Sequence, residues 1–186
     1  MPNIILWIVI AVVAILILWI IGVYNRLVSL RNQIQNSWSQ IDVQLKRRYD
    51  LIPNLVKTVK GYMRHERETF ESITKARTQA MSAKTLTDRA KNENMISEAL
   101  KTIFAVAENY PQLKANENFK MLQEELSGTE SKIAYSRQFY NDSVLSYDNS
   151  RRTFPGNIMA SMFNFKEKKE YFKAEESEKK PVKVDF

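Results

Sequence analysis

The chain has 186 residues, with 28 Lys and Arg against 21 Asp and Glu, a formal net charge of +7, one His and no Cys. The lack of Cys excludes disulfides, thiolate catalysis and zinc–thiolate sites, and a single His removes most catalytic and metal constellations. Only four Gly and five Pro imply few turns and long helices.

The first element is Ile4 to Val23. Its twenty residues carry no charge, and only the indoles of Trp7 and Trp19 can donate a side-chain hydrogen bond. A bilayer core of about 30 Å takes roughly 20 apolar residues at a rise of about 1.5 Å each. Only a helix satisfies its own backbone in lipid, so a single transmembrane helix is expected here. Trp7, Trp19 and Tyr24 fall where amphipathic rings favour the headgroup region. A signal peptide would bring a charged n-region, a shorter apolar run and a small-residue cleavage site. Here Met-Pro-Asn precedes the run and Gly22-Val23-Tyr24-Asn25 follows it, so an uncleaved anchor is expected. No Cys ends the run to take a lipid.

Basic residues cluster just after the anchor. Residues 24–70 hold Arg26, Arg31, Lys46, Arg47, Arg48, Lys57, Lys60, Arg64 and Arg67 against Asp42, Asp50, Glu66 and Glu68. The positive-inside bias therefore places the C-terminal domain in the cytoplasm, at the cell membrane.

From Tyr24 onward Leu27, Ile34 and Ile41 recur every seven residues, and Tyr24, Trp38, Leu45 and Ile52 form an interleaved series broken by Arg31. This is the stripe of a helix in a bundle or coiled coil. A continuous helix over 4–50 would be roughly 70 Å long. Its break is expected at 49–54, with Asp50 as N-cap and Pro53 in the first turn of the next helix. From Leu55 the stripe resumes through Val56, Val59, Met63, Phe70, Ile73, Ala76 and Ala80, with Glu66 on it or at its edge. Residues 81–88 form the second connection, with Thr87 or Asp88 as cap. A shorter helix with Ile96, Leu100, Ile103, Phe104 and Ala107 on its core face ends before Pro111. Residues 108–116 make the third connection. The last long helix carries Phe119, Leu122, Leu126, Ile133, Tyr140, Val144 and Tyr147, with a kink or close crossing expected at Gly128. Phe154-Pro155-Gly156-Asn157 stops it.

The expected fold is all-α: one N-terminal transmembrane helix continuing into an antiparallel up-down four-helix bundle. The domains are an anchor over 4–23, a bundle over 24–155, an interfacial segment over 156–174 and a disordered charged tail over 175–186. No repeat with a solenoid period is present. In this topology the 49–54 and 108–118 connections share the distal tip. The 81–88 connection and the end of the fourth helix lie near the bilayer.

These residues resemble a known family. Tyr24-Asn25-x-Leu27-Val28, the run from Trp38 to Arg48 (WSQIDVQLKRR), DLIPNLVKTVKGY over 50–62 and His65-Glu66 are similar to the LemA family. The resemblance continues in ENYPQLKANENF (108–119), LQEELSGTESKIAYSRQFYNDSV (122–144) and Phe154-Pro155. It implies a bacterial membrane-anchored helical bundle without established enzymatic activity. It also implies a link to membrane organisation or to proteolysis by a membrane metalloprotease. The family includes a magnetosome-membrane protein and members whose lipoprotein-type Gly-Cys precedes the Tyr-Asn pair; here that position is Val23, so orientation does not carry over.

Catalytic chemistry finds little to stand on. His65-Glu66 resembles the start of an HExxH zinc helix, but the second His is replaced by Thr69. One His cannot supply the paired Glu-x-x-His of a di-iron bundle. No enzyme activity, cofactor or metal is expected. Polar residues concentrate at the predicted tip: Arg47, Arg48, Asp50 and Asn54 facing Glu108, Asn109, Tyr110, Lys114, Asn116 and Asn118. Helix capping accounts for the Asn and Asp residues; a partner-binding surface accounts for the Arg pair and Tyr110 as well. Arg26, Arg31, Phe163, Phe165, Lys166 and Lys168 are candidate lipid contacts, unless the apolar patch packs back on the bundle. The expected function is a membrane-tethered scaffold for a protein partner, a membrane metalloprotease or a second copy of the chain. The alternative is a membrane-shaping or anionic-lipid-binding module. Acids interleave with the bases throughout, so no nucleic-acid partner is expected.

Overall fold

The computed structural model describes residues 2–63, 66–165 and 167–172. Among them every regular element is helical: α1 Pro2–Lys60, α2 Arg67–Ser82, α3 Leu86–Ala107, α4 Pro111–Ala115, α5 Glu117–Arg152 and α6 Gly156–Met162. The expected tail over 175–186, His65 and Lys166 lie outside the described residues. The described residues divide into two compact units, one within 2–40 and 138–170 and the other within 41–137 and 171–172.

In the first unit, residues 3–22 of α1 are all exposed and bury nothing. This stretch is long and apolar enough to cross a membrane. Beyond it Leu27 and Ile34 turn inward, with Tyr140, Val144 and Tyr147 of α5 also buried. Trp38 meets Tyr140 edge-on at 5.5 Å, and Trp19 lies 6.5 Å from Phe154. Contacts that descend α1 while ascending α5 make the two segments antiparallel. The chain then doubles back along α5: the Tyr147 hydroxyl donates to the Phe165 carbonyl, and the Tyr140 hydroxyl donates to the Glu170 carbonyl at 3.1 Å.

In the second unit, α1 contributes Ile41, Leu45, Ile52, Leu55 and Val59 to a core. It is shared with Phe70, Ile73 and Ala76 of α2, Ile96, Leu100 and Ile103 of α3, and Phe119, Leu126 and Ile133 of α5. Helices α2 and α3 pack side by side.

The helix boundaries differ from expectation at several places. α1 does not break at 49–54 but runs through Pro53 to Lys60. Proline removes the N–H that would bond the carbonyl four residues back, here that of Tyr49, and Arg77 Nε donates to that carbonyl at 2.8 Å instead. Asp50 is no cap; its carboxylate accepts from Lys46 one turn earlier at 2.7 Å. The second connection narrows to 83–85, and the cap is Thr85, whose hydroxyl accepts from the Asp88 N–H at 3.0 Å. The third connection contains α4, with Pro111 at its start and a cap at Asn116, whose side-chain oxygen accepts from the Phe119 N–H. α5 passes Gly128 without interruption, and a Cβ there would meet nothing within 4 Å. That glycine marks neither a kink nor a close crossing. At Gly156 a Cβ would fall 1.8 Å from the Ser150 carbonyl oxygen. The close approach of backbone to backbone there requires glycine.

Candidate functional site

The expected polar tip does not assemble as one cluster. α1 reaches Lys60 before it ends, which strings Asn54, Asp50 and Arg47 roughly 9, 15 and 20 Å back from its terminus at about 1.5 Å per residue. Glu108, Asn109, Lys114 and Asn118 are exposed, and Tyr110 is half-buried. What reaches them from α1 is Tyr62, whose hydroxyl accepts from the Asn116 side-chain amide at 3.2 Å. Asn116 is thus both a helix cap and a tether between this connection and the end of α1.

Arg47 is exposed and pairs with Glu125 of α5. Arg48 is something else. Only 1% of it is exposed, and the same holds for Glu93. Its Nη1 meets Glu93 Oε2 at 3.1 Å, and its Nη2 donates to the Ser97 hydroxyl at 2.7 Å and to Glu130. Ser97 in turn donates to Glu130 Oε1 at 2.8 Å. The Tyr49 hydroxyl donates to the other Glu93 oxygen. A second pair, Arg89 to Asp42 at 2.9 Å, joins the same helices α3 and α1. One guanidinium therefore ties together α1, α3 and α5 inside the second unit.

Position along the helices explains the burial. Ile41, Leu45, Arg48 and Ile52 follow four-three-four spacing, so Arg48 stands where a core residue belongs. Glu93 lies three before Ile96 and seven before Leu100, on the inward face of α3. Both signals were present in the sequence, but the expected break at Pro53 drew Arg48 to an exposed tip. Burial pushes the Glu93 carboxyl above the ordinary carboxylate range, against the opposing pull of the Tyr49 hydroxyl and of Arg48, Arg137 and Arg89. Burial first, then the Glu93 charge, raises the Tyr49 phenol as well. A buried cation is tolerable when its donors meet carboxylates, and this one meets two.

The arrangement offers little chemistry. Among the described residues no group of three or more His, Cys, Asp or Glu could hold a metal ion. Between α3 and α5 an open groove of about 580 Å³ is lined by Leu100, Phe104 and Leu126 beside Ser97, Glu130 and Ser131.

The candidate lipid contacts separate. Phe165 is buried, lying edge-on to Tyr24 at 5.7 Å with the Arg31 guanidinium 5.5 Å from its ring centre. It packs back on the first unit. Phe163 also touches Tyr24, at 5.0 Å, yet stays largely exposed. Arg26 and Lys168 are exposed.

Comparison with known proteins places these features. The model of the LemA family matches residues 37–186. Protein LemA of Metamycoplasma hominis is 31% identical over 144 residues, covering 75% of this chain and 64% of its own. Magnetosome protein MamQ 2 of Paramagnetospirillum magneticum is 25% identical over 185 residues, 86% of this chain and 68% of its own. Magnetosome protein MamQ of Magnetospirillum gryphiswaldense is 24% identical over 175 residues, 80% and 64%. The chain thus spans 64 to 68% of the length of these relatives. A 37–186 match over most of the chain, carrying the buried Arg48–Glu93–Glu130 centre within it, makes this protein a member of the LemA family.

Proposed function

We propose that this protein is a single-pass, membrane-anchored, non-enzymatic scaffold that presents a helical domain to protein partners. Its helices form an antiparallel up-down four-helix bundle in this reading, on the cytoplasmic side. The observation that carries it is α1 itself. One 59-residue helix is exposed and apolar over residues 3–22 and then buries Leu27, Ile34, Ile41, Leu45, Ile52 and Val59. A helix that is apolar all round needs lipid or protein about it, whereas the later stripe is satisfied within the domain. The interior ties are structural ion pairs, which supports a binding role over catalysis. Similarity to proteins named for the magnetosome supports a role in organising an assembly.

The exposed end formed by Tyr62, Asn109, Tyr110 and Lys114 is the proposed contact surface, with a membrane metalloprotease or a second copy of the chain as partner. A photo-crosslinking residue placed at Asn109, with another at exposed Met121 on α5, tests this in cells. A discrete crosslinked protein species at Asn109 that is lost on Tyr110→Ala and Lys114→Ala substitution is expected. Crosslinks to lipid alone would favour the lipid-binding alternative. That alternative draws on charge: no carboxylate precedes Asp42, while Arg26 and Arg31 follow the anchor.

A further inference from the structure

The geometry points to a second membrane contact: the turn and short helix over 153–163 insert Phe154, Ile158, Met162 and Phe163 into the interface of the leaflet where the anchor emerges. This rests on the reading of Ile4–Val23 as a spanning helix. It is carried by what lies beside that helix.

Trp19 precedes Val23 by four residues, so its indole sits about 6 Å inside the end of the apolar run. The Phe154 ring is 6.5 Å from that indole. A ring beside Trp19 is held at the depth where Trp19 lies, which for a tryptophan near a span's end is the headgroup boundary. One turn further out, Phe163 packs edge-on against Tyr24. Two ring contacts therefore pin both ends of the 154–163 segment to the last turns of the span.

These side chains are not used to fill the domain. Phe154 is 75% exposed and Met162 68%, with Ile158 and Phe163 close to half. By contrast Met159 and Ala160 point inward and are buried. α6 is thus sided, with an inner face that docks and an outer face that is apolar. Exposed phenylalanine and methionine grouped this way mark a surface awaiting cover, and the covering phase beside Trp19 is lipid.

Charge agrees with depth. From Asn149 to Phe165 there is no carboxylate, and none precedes Asp42 on α1. Arg26 and Arg152 are exposed on the same unit. Arg152 is only loosely held by Asp148, at 3.4 Å, while Arg151 takes that carboxylate at 2.8 Å. The stretches 24–41 and 149–165, which carry bases and no acids, favour an anionic leaflet.

The test uses the full chain, whose lack of Cys allows single thiols to be placed at will. Phe154→Cys, Met162→Cys, Ile10→Cys and Met121→Cys variants are labelled with an environment-sensitive fluorophore. Each is reconstituted in vesicles of phosphatidylcholine with phosphatidylglycerol, some of them carrying brominated acyl chains. Labels at 154 and 162 are expected to emit blue-shifted from the label at 121 and to be quenched by bromine set shallow in the acyl chain. The label at 10 is expected to be quenched by deep bromine. Water-like emission at both 154 and 162 with a deep label at 10 would overturn the insertion while leaving the anchor standing. Water-like emission at 10 would overturn the anchor and the insertion with it. Because Phe154 and Met162 are exposed, neither substitution disturbs the core, and agreement between the two positions guards against a local artefact.

Discussion

Arg77 Nε donates to the backbone carbonyl of Tyr49 at 2.8 Å. That carbonyl is the one Pro53 leaves without its helical donor, so the two residues are coupled through a proline neither of them touches in sequence. A buried acceptor deprived of its partner costs about 1–3 kcal/mol. Arg77→Met should therefore lower stability by about that much in urea unfolding of the detergent-solubilised chain. In a Pro53→Ala background, residue 53 regains its N–H and the same substitution should cost less, a coupling of about 0.5–3 kcal/mol in a double-mutant cycle.

This pairing also shows how far the sequence could be read. The stripes through Leu27, Ile34 and Ile41, and through Ile96, Leu100 and Ile103, were legible because burial imposes a helical period on apolar residues alone. The family resemblance was legible from its motifs. Pro53 was misread because the group that rescues its helix lies 24 residues away, on α2, where no local pattern announces it. Arg48 is misread as a tip residue, and Glu93 draws no reading at all, for a related reason. Each is a charge at a core position, and only their meeting across helices makes either tolerable. Thr85 was hidden inside a stretch that read as loop. Gly128 looked like a kink, though it is a glycine in an exposed helix with room for more.

The Arg48 centre makes its own prediction. Removing one partner of a buried ion pair strands the other charge and typically costs about 3–5 kcal/mol, whereas replacing both by apolar groups of similar size is often close to neutral. Arg48→Met and Glu93→Leu should each destabilise strongly. The double variant should recover most of the loss, as seen in thermal or urea midpoints.

Glu93 gives that centre a pH dependence. A carboxyl whose folded pKa lies above its ordinary value of 4.5 binds its proton more tightly in the folded chain. Its stabilising contribution is full below the unfolded value and is lost as pH rises through the folded one. Glu93→Gln cannot titrate. The stability of the native chain relative to this variant should therefore fall as pH is raised from about 4 toward 8, compared at each pH by urea titration.

The two glycines in the C-terminal half of the chain should respond oppositely. Gly128→Ala adds a methyl to open space in a helix interior and should stabilise by about 1 kcal/mol. Gly156→Ala would drive its Cβ into the Ser150 carbonyl, so it should destabilise the chain and loosen α6. Limited proteolysis near 156 and thermal midpoints read both effects.

α1 is proposed to anchor this domain in the membrane and to hold it in the cytoplasm. Met121→Cys on the exposed face of α5 tests it most directly, using an impermeant thiol reagent on intact cells followed by membrane fractionation. The protein is expected to be recovered with membranes and to stay unlabelled until the cells are lysed. Recovery in the soluble fraction, or labelling of intact cells, would contradict it.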